Sequence, residues 1–274
     1  MPALFVLGCK LKRYIFLIQV IIFVSGCSIT KKLGWSDSQR RKIELKGYTP
    51  LDNKDYADHL KSHGKTYLQD KKDRIVKLEA KSVNYLRSIL KNIRKKNELF
   101  FDKKDKAKFY IIKSNIPFHF SLPGREFFFS SALVTKYVKN EAMLYSLISY
   151  ELIRSDKLLY KKKIIIPTGS LETQKIMSLL RISMQEKVEV HKWAYYILNR
   201  VGVDTDMYLT WLQQKNRNSL DFAVQLGDTQ LISREEALYK SFVIEQEQEN
   251  KKIRAARYGG SSKNFYTFKN NIRG

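Results

Sequence analysis

Apolar residues recur at helical spacing along several stretches of the chain, which predicts a mainly helical protein. From about 72 to 98 they define one long amphipathic helix with a basic outer face. A second helix is expected after Asn140, a good N-cap residue. A third is predicted from about 171 to 200, stopping at Gly202, and a shorter one near Asp204.

Two runs of β-branched and aromatic residues predict strands. They are KFYIIKS at 108–114 and REFFFSSAL at 125–133. IPFHFSLPG at 116–124 contains turn residues and is expected to separate them. The predicted fold class is therefore α+β, mainly helical, with a small sheet packed on long helices.

The N-terminus resembles that of a bacterial lipoprotein. KLKR at 10–13 is a basic n-region, and YIFLIQVIIFVS at 14–25 is apolar, uncharged and shorter than the ~20 residues of a membrane span. VSGC at 24–27 is similar to a lipobox, which implies that Cys27 becomes the first mature residue and carries lipid on its thiol and its amine. The alternative is a short membrane anchor followed by a chance cysteine.

Charge and cysteine content narrow the classes of partner and chemistry. The formal net charge is +24, from 51 Lys+Arg against 27 Asp+Glu, and this favours anionic partners such as lipid headgroups, phosphates or acidic polymers. The alternative is a Lys-, Ile- and Asn-rich composition inherited from a biased genome. Cys9 would be removed with the signal and Cys27 lipidated, so no disulfide or thiol nucleophile is expected in the mature chain.

The polar ends of the chain set the predicted domain organisation. The segment before 71 has turn signals and only short helical patterns, and the segment after 245 is basic and interrupted by Gly and Ser, so it is expected to be loosely ordered. The predicted parts are a signal peptide at 1–26, a lipidated N-terminus and tether at 27–70, a folded domain at 71–245 and a basic tail at 246–274.

The order of motifs in the folded domain resembles that of the gluzincin zinc metallopeptidases of the CAAX prenyl endopeptidase and HtpX type. FHFSLPGREFFFSSALV at 118–134 and KNEAMLYSLISYELIR at 139–154 are similar to the two segments that lead into and contain that family's H-E-x-x-H motif. KVEVHKWAYYILNRVGVD at 187–204 matches the spacing of its third motif through the following glycine. The resemblance covers roughly 75–245 and implies a metallopeptidase-like fold.

The residues at the zinc-ligand positions differ from those of that family. Its chemistry needs two neutral imidazoles one helical turn apart, a carboxylate ligand, and a glutamate that deprotonates metal-bound water. By this resemblance Tyr150 and Arg154 occupy the histidine positions. Lys187 occupies the third-ligand position, and His191 that of an aspartate that supports a ligand. Arg154 cannot lose its proton and Tyr150 could bind only as a phenolate, so only the general base, Glu151, is retained and zinc is predicted to be lost.

Two alternatives for a metal site stay open. A one-residue shift of register would offer Glu186 as a ligand, although one carboxylate does not hold zinc. A rebuilt site would combine His119 with His191. The histidines outside the motif are His59, His63 and His119.

A buried ion pair would explain how the degenerate site is stable. Arg154 follows Glu151 by one turn and can pair with it at i,i+3. Glu186 or Glu189 from the next helix is expected to complete the cluster, so that a guanidinium replaces zinc and no buried charge is unpaired. The alternative places Arg154 in solvent and Glu151 on a wet helix edge.

The function predicted from these patterns is non-catalytic. The chain is expected to be a lipid-anchored envelope protein with a metallopeptidase-like fold that binds or scaffolds envelope proteins, with a peptide added to a sheet edge near 125–133. One alternative is an active zinc metallopeptidase with altered ligands. Ser28 after the lipidated cysteine is, by resemblance to lipoprotein sorting, not an inner-membrane retention signal, which favours the outer membrane facing the periplasm.

The other alternative is a basic lipoprotein that binds the envelope surface. YLRSILKNIRKK at 85–96 and the C-terminal tail interleave cations with apolar and aromatic residues, which suits anionic lipid or polymer surfaces. Nucleic acid would explain the same pattern but is an unexpected partner for a secreted protein.

Overall fold

The structure is a computed structural model that describes residues 52–101, 107–160, 169–249 and 260–273. The predicted signal peptide, Cys27 and most of the predicted tether lie outside the described residues. Long helices and one small sheet make up the described part, so the α+β, mainly helical class is confirmed. None of the described helices is long and apolar enough to cross a membrane.

The helices and strands follow one another in the order α, β, α. The helices described are α1 (Asn53–Asp70), α2 (Ala80–Lys96), α3 (Glu141–Asp156), α4 (Thr173–Leu179), α5 (Met184–Val201), α6 (Asp206–Arg217), α7 (Ala223–Leu226), α8 (Leu231–Glu249) and α9 (Lys263–Arg273). The strands described are β1 (Lys108–Ile112), β2 (His119–Leu122) and β3 (Glu126–Ser130), all before α3.

The sheet contains a strand that the sequence analysis assigned to a turn. β2 is paired antiparallel to β3, and β1 is paired parallel to it, so β3 is the central strand. All four residues of β2 are buried, and Phe120 stacks on Phe128 of β3 with ring centroids 4.5 Å apart. The expectation of a free sheet edge near 125–133 is wrong, because β3 has a neighbour on each side.

Two predicted helices have different bounds in the structure. α2 begins at Ala80 rather than near 72, because Lys72–Arg74 forms a 3₁₀ turn and Ile75 pairs with Ile112 of β1. The expected 171–200 helix is divided into α4 and α5. Ser183 begins α5 with a capping box, and Gly202 ends it in a left-handed conformation with φ 82°.

The C-terminal helix corrects the expectation of a loosely ordered tail. α9 buries Phe265, Phe268 and Ile272 and packs against α2. Glu141, at the start of α3, accepts hydrogen bonds from Ser262 N at 2.8 Å and from Ser262 Oγ at 2.9 Å. The expectation is therefore wrong for residues 263–273, which carry part of the apolar core.

α1 falls within the segment expected to be a tether. It is an 18-residue helix that starts at the N-cap Asp52, whose side chain accepts from Asp55 N. Leu60 and Tyr67 are fully buried, and α1 packs on β2 and α4. The compact unit of the chain accordingly begins at Asp52.

Candidate functional site

α3 is the central helix of the candidate site, and almost all of it is buried. Asn140 caps it by accepting a hydrogen bond from Met143 N at 2.9 Å, as its sequence predicted. The helix lies between the sheet on one side and α5 and α6 on the other. Because few of its faces reach solvent, its polar residues must find partners inside the protein.

Glu151 lies on the face of α3 that is packed on β2, and its side chain is 0% exposed. His119 Nδ1 is 2.6 Å from one carboxylate oxygen, and Ser121 Oγ donates to the other at 2.8 Å. Arg154 Nη1 is 3.4 Å from that second oxygen. We call Glu151, His119, Ser121 and Arg154 the Glu151 cluster.

These partners stabilise the ionised form of the Glu151 carboxyl. Burial raises the pKa of its carboxyl, but the Arg154 charge and the bonds from His119 and Ser121 outweigh burial and leave the pKa below its ordinary value. Burial lowers the pKa of His119, so its ring is neutral and donates its Nδ1 proton to the carboxylate. Glu151 is therefore an ionised, fully engaged acceptor.

Arg154 is buried and pairs with Glu151, so the alternative of a solvent-facing Arg154 is wrong. Its Nη2 donates to the carbonyl of Leu180, and the rings of Tyr150 and Tyr160 lie 5.6 Å and 5.7 Å from the guanidinium carbon. These contacts fix the guanidinium from three directions. Arg154 is therefore a buried structural cation.

The two other glutamates expected in the cluster lie elsewhere. Glu186 closes the capping box of α5, where its carboxylate accepts from Ser183 N at 2.7 Å. Glu189 is exposed and pairs with Lys192 at 3.0 Å on the same helix. The prediction that either completes the Glu151 cluster is wrong, and His119 and Ser121 of β2 take that place.

A second buried glutamate, Glu235 of α8, gathers three basic side chains. Lys187 Nζ, Lys215 Nζ and His191 Nε2 lie 3.1, 3.0 and 3.1 Å from its carboxylate. Burial raises the pKa of Glu235, but Lys215, His191 and Lys187 bring it well below its ordinary value. His191 uses its other nitrogen, Nδ1, on the hydroxyl of Tyr208. We call Glu235, Lys187, Lys215 and His191 the Glu235 cluster.

The three positions assigned to zinc ligands lie around one small cavity. Tyr150, Arg154 and Lys187 line a space of about 30 Å³ between the two clusters. Tyr150 separates the two histidines, since its ring stacks on His191 at 5.4 Å and meets His119 edge-on at 5.9 Å. The sequence resemblance thus selected residues that are neighbours in space although they belong to two helices.

These residues do not fit a zinc ion. Both nitrogens of His191 and both carboxylate oxygens of Glu151 are already bonded. Burial raises the pKa of Tyr150, which disfavours the phenolate that zinc would need. Of the ring nitrogens of His119 and His191, only His119 Nε2 has no partner within the described residues, and a single donor among cations does not hold a divalent metal.

The other described residues also contain few groups of side chains that could bind a metal. His59 and His63 of α1 approach each other with Nε2 atoms 3.1 Å apart. Across 52–101, 107–160, 169–249 and 260–273, no group of three or more His, Cys, Asp or Glu side chains is arranged to hold a metal. The alternative metal site from His119 and His191 is not formed, because Tyr150 lies between them.

Sequence reasoning missed the residues that come from distant segments. Ser121 was missed, and His119 was considered only as a metal ligand and not as a partner of Glu151, because β2 was assigned to a turn, although aromatic and polar residues alternate in FHFSL as in a strand. Glu235 and Lys215 belong to no motif and join the site only because α8 packs on both α5 and α6. No local signal could have found them.

Comparison with known proteins adds no relative to this picture. No model of a known protein family matches the chain, and no curated protein matches it either. The gluzincin resemblance remains a prediction from the motifs and their spacing.

Proposed function

We propose that this chain is a non-catalytic binding protein of a bacterial cell envelope, with a metallopeptidase-like fold in which buried ion pairs replace the metal site. The observation that carries the proposal is the state of Glu151. The one side chain that matches the family's general base is fully buried and ion-paired to Arg154. A general base must reach the proton that it removes, and this carboxylate has no free oxygen to do so.

The convergence of Tyr150, Arg154 and Lys187 on one cavity supports the metallopeptidase-like part of the proposal. Those three residues were selected by motif register alone, from two segments about 35 residues apart. Two of the three carry fixed cations, which repel a divalent metal rather than coordinate it. The same fold therefore keeps the geometry of a ligand set while its chemistry is lost.

Cleavage of an unfolded substrate tests the absence of catalysis. The full chain is incubated with reduced, alkylated casein and added zinc, with and without a chelator, beside the variant Glu151→Gln. We expect no cleavage beyond that of the variant. Chelator-sensitive cleavage that Glu151→Gln abolishes would refute the proposal and support the active peptidase with altered ligands.

A specific surface supports binding to anionic partners as a second candidate function. α2 and α9 pack together, and neither contains an acidic residue. Seven of their cations are exposed: Lys81, Arg87, Lys91, Lys95, Lys96, Lys263 and Arg273. We call these two helices the basic face. Residues 85–96 and 263–273 thus lie on neighbouring helices, and their exposed cations suit anionic headgroups at roughly 1 kcal/mol per cation.

Vesicle binding tests the basic face. The ratio of affinities for phosphatidylglycerol and phosphatidylcholine vesicles removes the contribution of a lipid anchor, which acts on both. The double variant Arg87→Gln/Lys91→Gln is expected to lower that ratio about 30-fold. The matched control, Lys192→Gln on α5, leaves it unchanged. An equal ratio in all three proteins would eliminate the basic face as a lipid-binding surface.

We propose further that Cys27 carries the lipid anchor and that the protein faces the periplasm from the outer membrane. The support is the basic n-region, the apolar run and the VSGC sequence, followed by Ser28. Mass spectrometry of the N-terminal peptide is expected to show Cys27 as its first residue, with a diacylated thiol and an acylated amine. A chain that retains residues 1–26, or an unmodified Cys27, would contradict the anchor.

A further inference from the structure

The small cavity between the two clusters carries an excess of positive charge. Its lining includes four cationic side chains, Arg154, Arg181, Lys187 and Lys215, and one carboxylate, Glu235. When Glu151 is included as the partner of Arg154, the sum is 4 − 2, which leaves two positive charges without a counter-ion among the described residues. Burial lowers the pKa of both nearby histidines, so they are counted as neutral.

Such an excess is costly inside a protein. Ammonium and guanidinium groups keep their charge at low cost only when they are paired, and Glu235 is shared between Lys187 and Lys215. Burial lowers the pKa of Lys215, which shows the direction of this cost, and Glu235 only partly offsets it. A bound anion would remove the imbalance without any change in the fold.

Two unused donors point to the same ligand. Arg154 Nε and Arg181 Nε are buried, and neither has a hydrogen-bond partner in the described part of the chain. Arginine stays protonated at any relevant pH and has no acceptor, so each Nε carries a proton that needs an acceptor. His119 is not a donor to this cavity, because a ring that donates from Nδ1 presents only a lone pair at Nε2.

Gly227 ends α7 beside the Arg181 guanidinium. Its φ is 75°, a conformation that is unfavourable for residues other than glycine. The guanidinium lies so close to Gly227 that a side chain there would have to displace it. Arg181 therefore contacts the end of α7 as well as lining the cavity.

We propose that this cavity is a binding site for one small monovalent inorganic anion of halide size, held by Arg154, Arg181, Lys187 and Lys215. A volume of about 30 Å³ exceeds the roughly 10–15 Å³ that one water needs and is too small for a phosphate ester or a peptide. Lys187, with 18% of its side chain exposed, connects the cavity to solvent. The site has the reverse polarity of a zinc site, since cations surround an anion.

Chloride serves as the probe. The full chain is titrated with sodium chloride against sodium gluconate at constant ionic strength, while the ³⁵Cl NMR linewidth and the Tm are followed. We expect saturable line broadening and a Tm that rises with chloride. Because a bond from a charged donor is lost, Lys187→Met is expected to weaken the chloride affinity about tenfold or more.

Lys192→Met is the matched control, since Lys192 is on the same helix and pairs with Glu189 on the surface. It is expected to keep the wild-type chloride response. Arg181→Met is the second test variant, chosen because Arg181 Nε has no hydrogen-bond partner within the described residues, and it is also expected to lose the response. No chloride-specific effect in the wild type, or an equal effect in Lys187→Met, would overturn the proposal. The result is independent of whether the chain cleaves casein.

Discussion

The Glu151 cluster and the Glu235 cluster each contain one buried glutamate and one histidine, but they differ in the number of cations that surround the carboxylate. The Glu151 cluster pairs one carboxylate with one guanidinium and a neutral histidine, while the Glu235 cluster pairs one carboxylate with two ammonium groups and a neutral histidine. The first is electrically closed and the second is not. Burial of a glutamate therefore does not by itself show whether its charge is balanced. The number of cationic partners decides whether the cluster is neutral or carries an excess of positive charge.

The two clusters also differ in how their partners reach them. Arg154 reaches Glu151 within one turn of α3, and β2 supplies the rest from one side. Glu235 collects its partners from α5 and α6, so three helices must pack correctly before the cluster exists. The stability of the fold should therefore fall more when the Glu235 carboxylate is removed than when the Glu151 carboxylate is removed.

The largest effect is expected from Glu235→Gln. The amide keeps the shape but leaves the buried Lys215 and the partly exposed Lys187 without their carboxylate, at a cost of about 3–5 kcal/mol in the free energy of unfolding. That corresponds to a fall in Tm of roughly 6–20 °C for a protein of this size. Thermal denaturation by circular dichroism measures it, and a fall below about 3 °C would show that the lysines find other partners.

A smaller effect is expected from Glu151→Gln, a loss of about 3 kcal/mol in the free energy of unfolding. Only one cation loses its carboxylate, and Arg154 keeps its hydrogen bond to the Leu180 carbonyl. The double variant Glu151→Gln/Arg154→Met removes both charges and is expected to be more stable than Arg154→Met alone. Urea denaturation of the four proteins gives the coupling energy. Strictly additive effects would mean that the two residues do not interact.

The histidines make stability depend on pH in a definite direction. Burial lowers the pKa of His119 and His191 below 6.5, so below that pH the unfolded chain binds protons that the folded chain does not. The stabilisation that comes from burying these histidines in the neutral form is therefore fully present above pH 6.5. It is lost as the pH falls, by up to about 1.4 kcal/mol per pH unit for each histidine. His119→Gln should reduce this slope by about that amount, and an unchanged slope would remove His119 from the account.

The smallest effect is expected from Glu189→Gln. The Glu189–Lys192 pair is solvent-exposed, so its loss should change the free energy of unfolding by less than about 0.5 kcal/mol. Comparison with Glu151→Gln in the same urea titration separates a surface carboxylate from a buried one. A loss above about 2 kcal/mol would place Glu189 in the interior network after all.

The parts of the fold that local patterns control were predictable from the sequence. Asn140 as the cap of α3, Gly202 as the end of α5, the Glu151–Arg154 pair and the α+β class all follow from spacing and propensity. Strand β2 was not recognised, because it has four residues and is bounded by prolines at 117 and 123 that read as turns. The packing of α9 was missed because its apolar face of Phe265, Phe268 and Ile272 is surrounded by polar residues.

Only the residues of the candidate site that lie in the recognised motifs could be predicted from the sequence. Motif register brought Tyr150, Arg154 and Lys187 together, but the charge excess depends on Lys215 and Glu235, which belong to no motif. Glu186 was misplaced because an N3 glutamate after a serine completes a capping box, a local interaction that prevails over a distant one.

The central claim is that fixed cations at the ligand positions prevent the site from holding zinc. Plasma mass spectrometry of the full chain, purified without chelators and dialysed against zinc and then against metal-free buffer, tests it most directly. The account predicts far less than one zinc per chain, with no difference between the wild type and Glu151→Gln. One tightly held zinc per chain, reduced in that variant, would contradict it.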